Sequence, residues 1–264
     1  MSIWQLVLIG WLASSVTMSL FWFIQRRTGD AGIVDLAWGM GVGTLAVFFC
    51  FNSPAGQPGR RVVIATLAML WALRLSSHLL SRLLKMSEDG RYQTLKKNWG
   101  SSAQAKMFGF YQVQAFGCVL FALPMLIAAR AEAEFGIADI VGIAIWVVAL
   151  LGESIADRQL ARFRAVSSNQ AKVCQTGLWR FSRHPNYFFE WLHWWAYVLL
   201  ALSAPWGGLT VVGPLLMLVL ILRVTGIPPT EFQALKSRGE AYREYQRTTN
   251  TFFPWFPKSN RIVT

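Results

Sequence analysis

Charged side chains are scarce in this sequence: they make up 14 % of its 264 residues, whereas 54 % are hydrophobic. Mean hydropathy is positive. A water-soluble domain of this length rarely carries so little charge, so the composition excludes an ordinary aqueous fold and selects the bilayer as solvent. Acidic residues are scarcer still, 13 Asp and Glu against 25 Lys and Arg, for a net charge of +12. The cations cluster between apolar runs, which points to a membrane surface or an anionic ligand and away from nucleic acid. Cysteine is limited to Cys50, Cys118 and Cys174, widely separated; they give neither a disulfide framework nor the spacing of a metal site, and no metal is expected. The N-terminus lacks the basic region of a signal peptide, so the apolar stretch from Ile3 is expected to persist as a first membrane helix. No solenoid-type repeat and no low-complexity tract is visible.

What is present is a series of apolar runs, at 3–24, 32–51, 62–84, 107–129, 137–155, 187–203 and 206–222, each near the length needed to cross about 30 Å of hydrocarbon. An all-α polytopic membrane protein with about seven transmembrane helices is expected, residues 1–264 forming one membrane domain. The last two runs are short, and the turn Ser203-Ala-Pro-Trp-Gly-Gly208 between them predicts a tight hairpin. Alternate connecting segments hold 21 of the 25 lysines and arginines, while Arg60, Arg61 and Arg130 fall on the other side. Cations of short loops stay in the cytoplasm, so the N-terminus is expected outside and the C-terminus inside.

Asp35 and Arg74 are ionisable residues at membrane depth, where a charge costs roughly 3 kcal/mol even on permissive scales and usually meets a partner or a wet cavity. The two open readings are an interhelical ion pair and a ligand site. Trp38 and Trp71, with Gly39, Gly41 and Gly43, would leave room there for a flat apolar ligand. Glu153 and Asp157 lie four residues apart on one face of the fifth run, with Arg164 two turns on; they suit a salt-bridged helix end or a ligand. The stretch RFSRHPNYFFE (180–190) then precedes an apolar run. Pro185 suits a first helical turn, whose unpaired N–H groups favour an anion. Arg183 is expected to grip phosphate, His184 to add a titratable donor, Asn186 and Tyr187 neutral hydrogen bonds, and Glu190 to orient a partner. In the tail, Tyr242 and Tyr245 are spaced to face one ligand, ahead of an aromatic, proline-bearing end that reads as an interfacial seal.

The run TGLWRFSRHPNYFFEWLHWW, with TGIPPTE, AYREYQRTTNTFFPWFP, GIVDLAWG and the GRY of residues 90–92, resembles the bacterial branch of the steroid 5α-reductase family. More distantly, the RHPNY element is similar to isoprenylcysteine carboxyl methyltransferases and sterol C14 reductases. The resemblance implies a reductase of the bacterial inner membrane that takes NADPH on its cytoplasmic side. Residues 1–130 would line a cavity for a hydrophobic substrate drawn from the bilayer, and residues 131–264 would form the cofactor-binding core. By motif position, Asp157, Arg164, Asn186, Glu190 and the tail tyrosines would hold the cofactor, while Asp35 would meet a substrate carbonyl as a neutral acid, with Arg74 beside it. Two positions depart from the family: Trp71 stands where a substrate-side tyrosine is expected, and Glu153 where an asparagine is. Trp71 cannot supply a phenol proton, which leaves steroids and other lipid enones both open as substrates. The rival readings are an S-adenosylmethionine-dependent methyltransferase and a non-catalytic membrane scaffold; oligomeric state is not legible.

Overall fold

The computed structural model describes residues 1–53, 55–84, 88–169 and 171–258, and the described residues form helices without strands. Lys85 and Arg261, two of the cations assigned to the cytoplasmic side, lie outside the described residues. The chain divides into two compact units, residues 1–139 with 197–213, and residues 140–196 with 214–264.

In the first unit, α1 (Ile3–Thr28) starts on a capping box between Ser2 and Gln5 and ends at Gly29, whose φ of 79° closes the helix in the left-handed region. A few residues on, α2 (Ile33–Asn52) turns back, with the Gly32 N–H held by the Asp30 carboxylate at 2.8 Å. Pro58 opens α3 (Pro58–Leu83), its missing N–H being no loss in a first turn. Asp89 caps the short α4 (Gly90–Trp99) by accepting from the Arg91 N–H, and α5 (Ala103–Ala129) follows. The polar segment expected before the fourth span is thus itself largely helical. α2 packs against both α3 and α5, and α1 against α5 and α2.

The glycines of α2 make this packing close and leave no room for a ligand. A Cβ on Gly43 would stand 2.4 Å from the Ala72 Cβ, and one on Gly41 2.8 Å from the Cys118 Sγ. The expected slot at Gly39, Gly41 and Gly43 is therefore filled by Leu75, Cys118 and Ala72, a small-residue helix contact of the kind membrane helices use. At the opposite end of the same helices the Arg60 side chain is wholly buried. It is paired with both oxygens of Asp139, bonded to the Leu200 and Ala133 carbonyls at 3.0 and 3.2 Å, and lies over the Phe135 ring.

The second unit holds most of α6 (Ile137–Ala165) and of α7 (Pro185–Leu200), then α8 (Val212–Val219), a π-helical turn at Leu220–Val224, α9 (Ile227–Arg238) and α10 (Glu240–Thr248). Gly152 lets α7 lie against α6, since a Cβ there would meet the Phe189 ring at 2.4 Å. Gly177, at φ 60°, turns the chain so that the Leu178 N–H reaches the Gln159 side chain at 2.9 Å.

Among the described residues, six helical segments are long and apolar enough to cross a membrane: Ile3–Thr28, Ile33–Asn52, Pro58–Leu83, Gly90–Ala129, Ile137–Ala165 and Gly207–Arg238. The sixth run, 187–203, forms α7, which at 16 residues is short of the roughly 20 a straight crossing needs. The turn after it contains Trp206 at φ 65°, an unusual conformation for a residue with a side chain. Along α1, Leu8, Leu12, Val16 and Leu20 are exposed, and their apolar side chains are suited to lipid.

Candidate functional site

The polar start of α7 is built from three parts of the second unit. Pro185 begins the helix, and Arg183 just before it is turned toward the C-terminal segment. Its Nε donates to Glu231 at 2.7 Å, Nη1 to the Gln246 and Thr249 carbonyls at 3.1 and 2.6 Å, and Nη2 to the Thr251 hydroxyl at 2.8 Å. The expectation that Arg183 grips a phosphate is corrected on this geometry: the guanidinium is 8 % exposed and engaged by protein groups. His184 is buried as well, 3.2 Å from Glu231 and stacked on Tyr187 at 5.3 Å.

Glu231, at the start of α9, is the hub that sequence reasoning left without a role. Besides Arg183 and His184 it accepts from the Gln246 amide at 2.8 Å and the Tyr242 hydroxyl at 3.4 Å. Its signal was a carboxylate directly after Pro228-Pro229-Thr230, a helix start next to an apolar run. Tyr245, also expected at a ligand, is buried and hydrogen-bonds the Trp179 and Ser182 carbonyls. Burial, then neighbouring carboxylate or phenol charge, raises the pKa of both tyrosines. Tyr242 and Tyr245 therefore fasten the tail to the start of α7 and do not face one ligand.

Burial pushes the His184 imidazole below its usual pKa of 6.5, with Glu231 opposing in part. The native state thus keeps His184 neutral, whereas the unfolded chain takes up its proton as pH falls through about 6.5. Below that value the unfolded state binds more protons, so stability drops with falling pH. The melting temperature is expected to decline between pH 7.5 and 5.5, and less steeply in His184→Asn; equal slopes would refute this assignment.

Beside this braced region lies a pair with different character. The Asn186 amide donates to Asp157 at 3.1 Å, bringing together two residues 29 apart in sequence. Asp157 and Glu153 are buried on α6, Asn186 is half-buried, and Arg158, Arg162 and Arg164 are exposed on the last turns of α6. Tyr187, one residue on, has its hydroxyl 3.1 Å from that of Thr230. Glu190 accepts from the Trp194 indole N–H at 3.2 Å and is half-buried. The sequence-predicted set thus divides into a brace (Arg183, His184, Tyr242, Tyr245) and a carboxylate–amide pair next to a basic helix end (Asp157, Asn186, with Glu153 and Arg164).

In the first unit Asp35 meets residues of α4. It accepts from the Tyr92 hydroxyl at 2.7 Å and pairs with Arg91 at 3.1 Å, while Arg91 Nε also donates to Asp89 at 3.1 Å. The neutral-acid role expected for Asp35 is corrected here, because both carboxyl oxygens are already engaged, one by Arg91 and one by the Tyr92 hydroxyl. Arg91 and Tyr92 belong to the GRY motif, which sequence reading singled out without giving it a task. Burial raises the Asp89 pKa, but Arg91 and Arg82 outweigh it and hold that carboxyl below its usual range. Arg74 is half-buried on α3, and Trp71 is fully buried, edge-on to Trp38 at 6.0 Å, with Phe121 on Trp38 at 5.4 Å. The described residues contain no grouping of three potential metal ligands.

The helices and their length define an all-helical integral membrane protein. The chain belongs to the family DUF1295, described as protein of unknown function, whose model matches residues 21–249. No curated protein and no solved structure matches it.

Proposed function

We propose that the protein is an NADPH-dependent membrane reductase acting on the carbon–carbon double bond of a hydrophobic enone, working in the bacterial cytoplasmic membrane with its basic segments inward. The observation that carries this reading is the Asn186–Asp157 contact at the start of α7, beside the basic end of α6. The donor set fits a phosphorylated dinucleotide. Asp157 and Glu153 offer acceptors for ribose hydroxyls, the Asn186 side chain a carbonyl and an amide, and the exposed arginines at 158, 162 and 164 partners for phosphate. Bound NADPH would supply the hydride. In the first unit, Arg91 engages one oxygen of Asp35, and the other orients the Tyr92 hydroxyl. Asp35 so held is a positioning residue for a phenol.

Thermal unfolding of the detergent-purified chain tests this. NADPH is expected to raise the melting temperature, because a ligand bound only by the native state stabilises it by mass action. Asp157→Ala is expected to need at least about tenfold more NADPH for the same rise, the loss of one charge-assisted contact. Stabilisation by S-adenosylmethionine in place of NADPH would favour the methyltransferase reading. No response to either would leave the scaffold reading standing and overturn this one.

A further inference from the structure

At the end of the first unit away from Asp35, two cations are left without an answering group. Of Arg60, Arg61 and Arg130, the arginines on the cation-poor side, Arg60 is spent on Asp139. Arg61 Nε and Arg130 Nη1 are both buried, and neither has a hydrogen-bond acceptor among the described residues. A buried charged donor without an acceptor costs more than a neutral one. Cations on this side also run against the usual charge bias of membrane loops, so both arginines need a reason.

The loop between α2 and α3 touches both. Gly56, at φ 95°, lies so close to the end of α5 that a Cβ would overlap the Ala129 carbonyl oxygen and stand 2.8 Å from the Arg130 Cα. Its own carbonyl accepts from Arg61 Nη2 at 2.9 Å, and the next N–H, of Gln57, reaches the Ala131 carbonyl at 3.1 Å. Ser53, at the end of α2, is 3 % exposed, and its hydroxyl also has no partner among the described residues. The charge of Arg61 reaches the Cys50 thiol, one turn before Ser53, which places the guanidinium at this end of α2. The carboxylates of the region are otherwise placed: Asp139 on Arg60, Glu134 on the Gln57 amide at 2.7 Å, and Glu132 exposed.

We propose that Arg61, Arg130 and the Ser53 hydroxyl form a binding site for a phosphate group, supplied by a phospholipid headgroup. Two guanidinium groups and a hydroxyl are donors matched to phosphate oxygens, and arginine offers them in a fork that an ammonium lacks. Helices α2 and α3 and the segment ending in α5 are each long enough to cross a membrane, and Asn52, Pro58 and Ala129 mark their ends. The site therefore lies at the level where hydrocarbon gives way to headgroups, and basic pockets between helices at that level hold lipid phosphate. It keeps an opening: Gln57, Arg61 and Arg130 are only half-buried, and a Cβ on Gly59, in the first turn of α3, would meet nothing within 4 Å. The proposal is independent of the reductase reading, whose residues lie elsewhere.

The test follows the melting temperature of the delipidated, detergent-purified full chain at constant ionic strength, with dioleoylphosphatidylglycerol, dioleoylglycerol and inorganic phosphate as probes. Phosphatidylglycerol is expected to raise the melting temperature of wild type, and dioleoylglycerol, which lacks the phosphate, is not. Arg130→Gln is expected to need about tenfold more phosphatidylglycerol for the same rise, the scale of one charge-assisted contact. Arg61→Lys, chosen because Arg61 also holds the Gly56 carbonyl, is expected to need more than wild type and less than Arg130→Gln. Arg27→Gln, on the last turn of α1 at the opposite end of the unit, is expected to respond as wild type does. A rise with inorganic phosphate that is lost in Arg130→Gln would support the phosphate site and assign it to the free anion. A wild-type response in both site variants, an equal response to dioleoylglycerol, or no response to either phosphate-bearing probe would overturn the proposal. So would a clear fall in the melting temperature of probe-free Arg130→Gln, since it would assign that guanidinium a partner within the protein.

Discussion

Arg183→Ala is expected to destabilise the detergent-purified protein by about 3–5 kcal/mol, the usual effect of removing one partner of a buried ion pair, and to do so equally with and without NADPH. The substitution strips Glu231 of its closest cation and leaves the Gln246 and Thr249 carbonyls without their donor. Lysine does not rescue this, because a single ammonium cannot reach a carboxylate, two carbonyls and a hydroxyl from one planar fork. The contrast with Asp157→Ala is the informative part: that variant is expected to fold normally and lose nucleotide response. If Arg183→Ala instead folded as well as wild type and lost only its response to NADPH, the guanidinium would be a phosphate ligand and the brace described here would be wrong.

Arg60→Ala is expected to be about as damaging, again near 3–5 kcal/mol. Its guanidinium is 0 % exposed, so truncation strands Asp139 and frees the Leu200 and Ala133 carbonyls in an apolar interior. The double variant Arg60→Met with Asp139→Leu is expected to recover most of the lost stability, since an apolar pair of similar volume carries no desolvation penalty. Melting temperature and the fraction of monodisperse protein after purification measure both. A harmless Arg60→Ala would mean that water or lipid headgroups reach Asp139.

Much of the fold was legible in the sequence because apolar run length is a one-dimensional property. Helices α1, α2, α3, α5 and α6 follow directly from it, and the short α7 and the Pro205-Trp206-Gly207 turn were visible too, whereas the run at 206–222, expected to be short, continues into a 32-residue helical segment. Side-chain partners were less legible, since partner choice depends on how helices rotate about their axes. Asp35 stood in the sequence with Arg74 as its apparent counter-ion, yet α4 places Arg91 and Tyr92 on it. Gly41 and Gly43 read equally well as ligand room or as close contact, and only the neighbouring Cys118 and Ala72 decide for contact. Likewise Arg60 read as one cation of an outer loop, because nothing in its flanking residues announces Asp139, 79 positions on. Asn186 and Asp157 were each placed by motif at one cofactor, but their direct contact was not foreseen; Glu231 stood inside TGIPPTE, a motif read without a task for it.

The brace at the start of α7 also bears on how the chain is made. Arg183 finds Glu231 48 residues later and Thr251 68 residues later. At a synthesis rate of about 5–20 residues per second, several seconds pass in which this guanidinium has emerged but its partners have not. During that interval the apolar α7 stands ready for the bilayer with an unanswered charge at its head, a situation an insertion machinery or a headgroup phosphate must tolerate. The segment from Glu231 to Thr251 thus acts as a clasp, which can close on the head of α7 only once it has itself been synthesised.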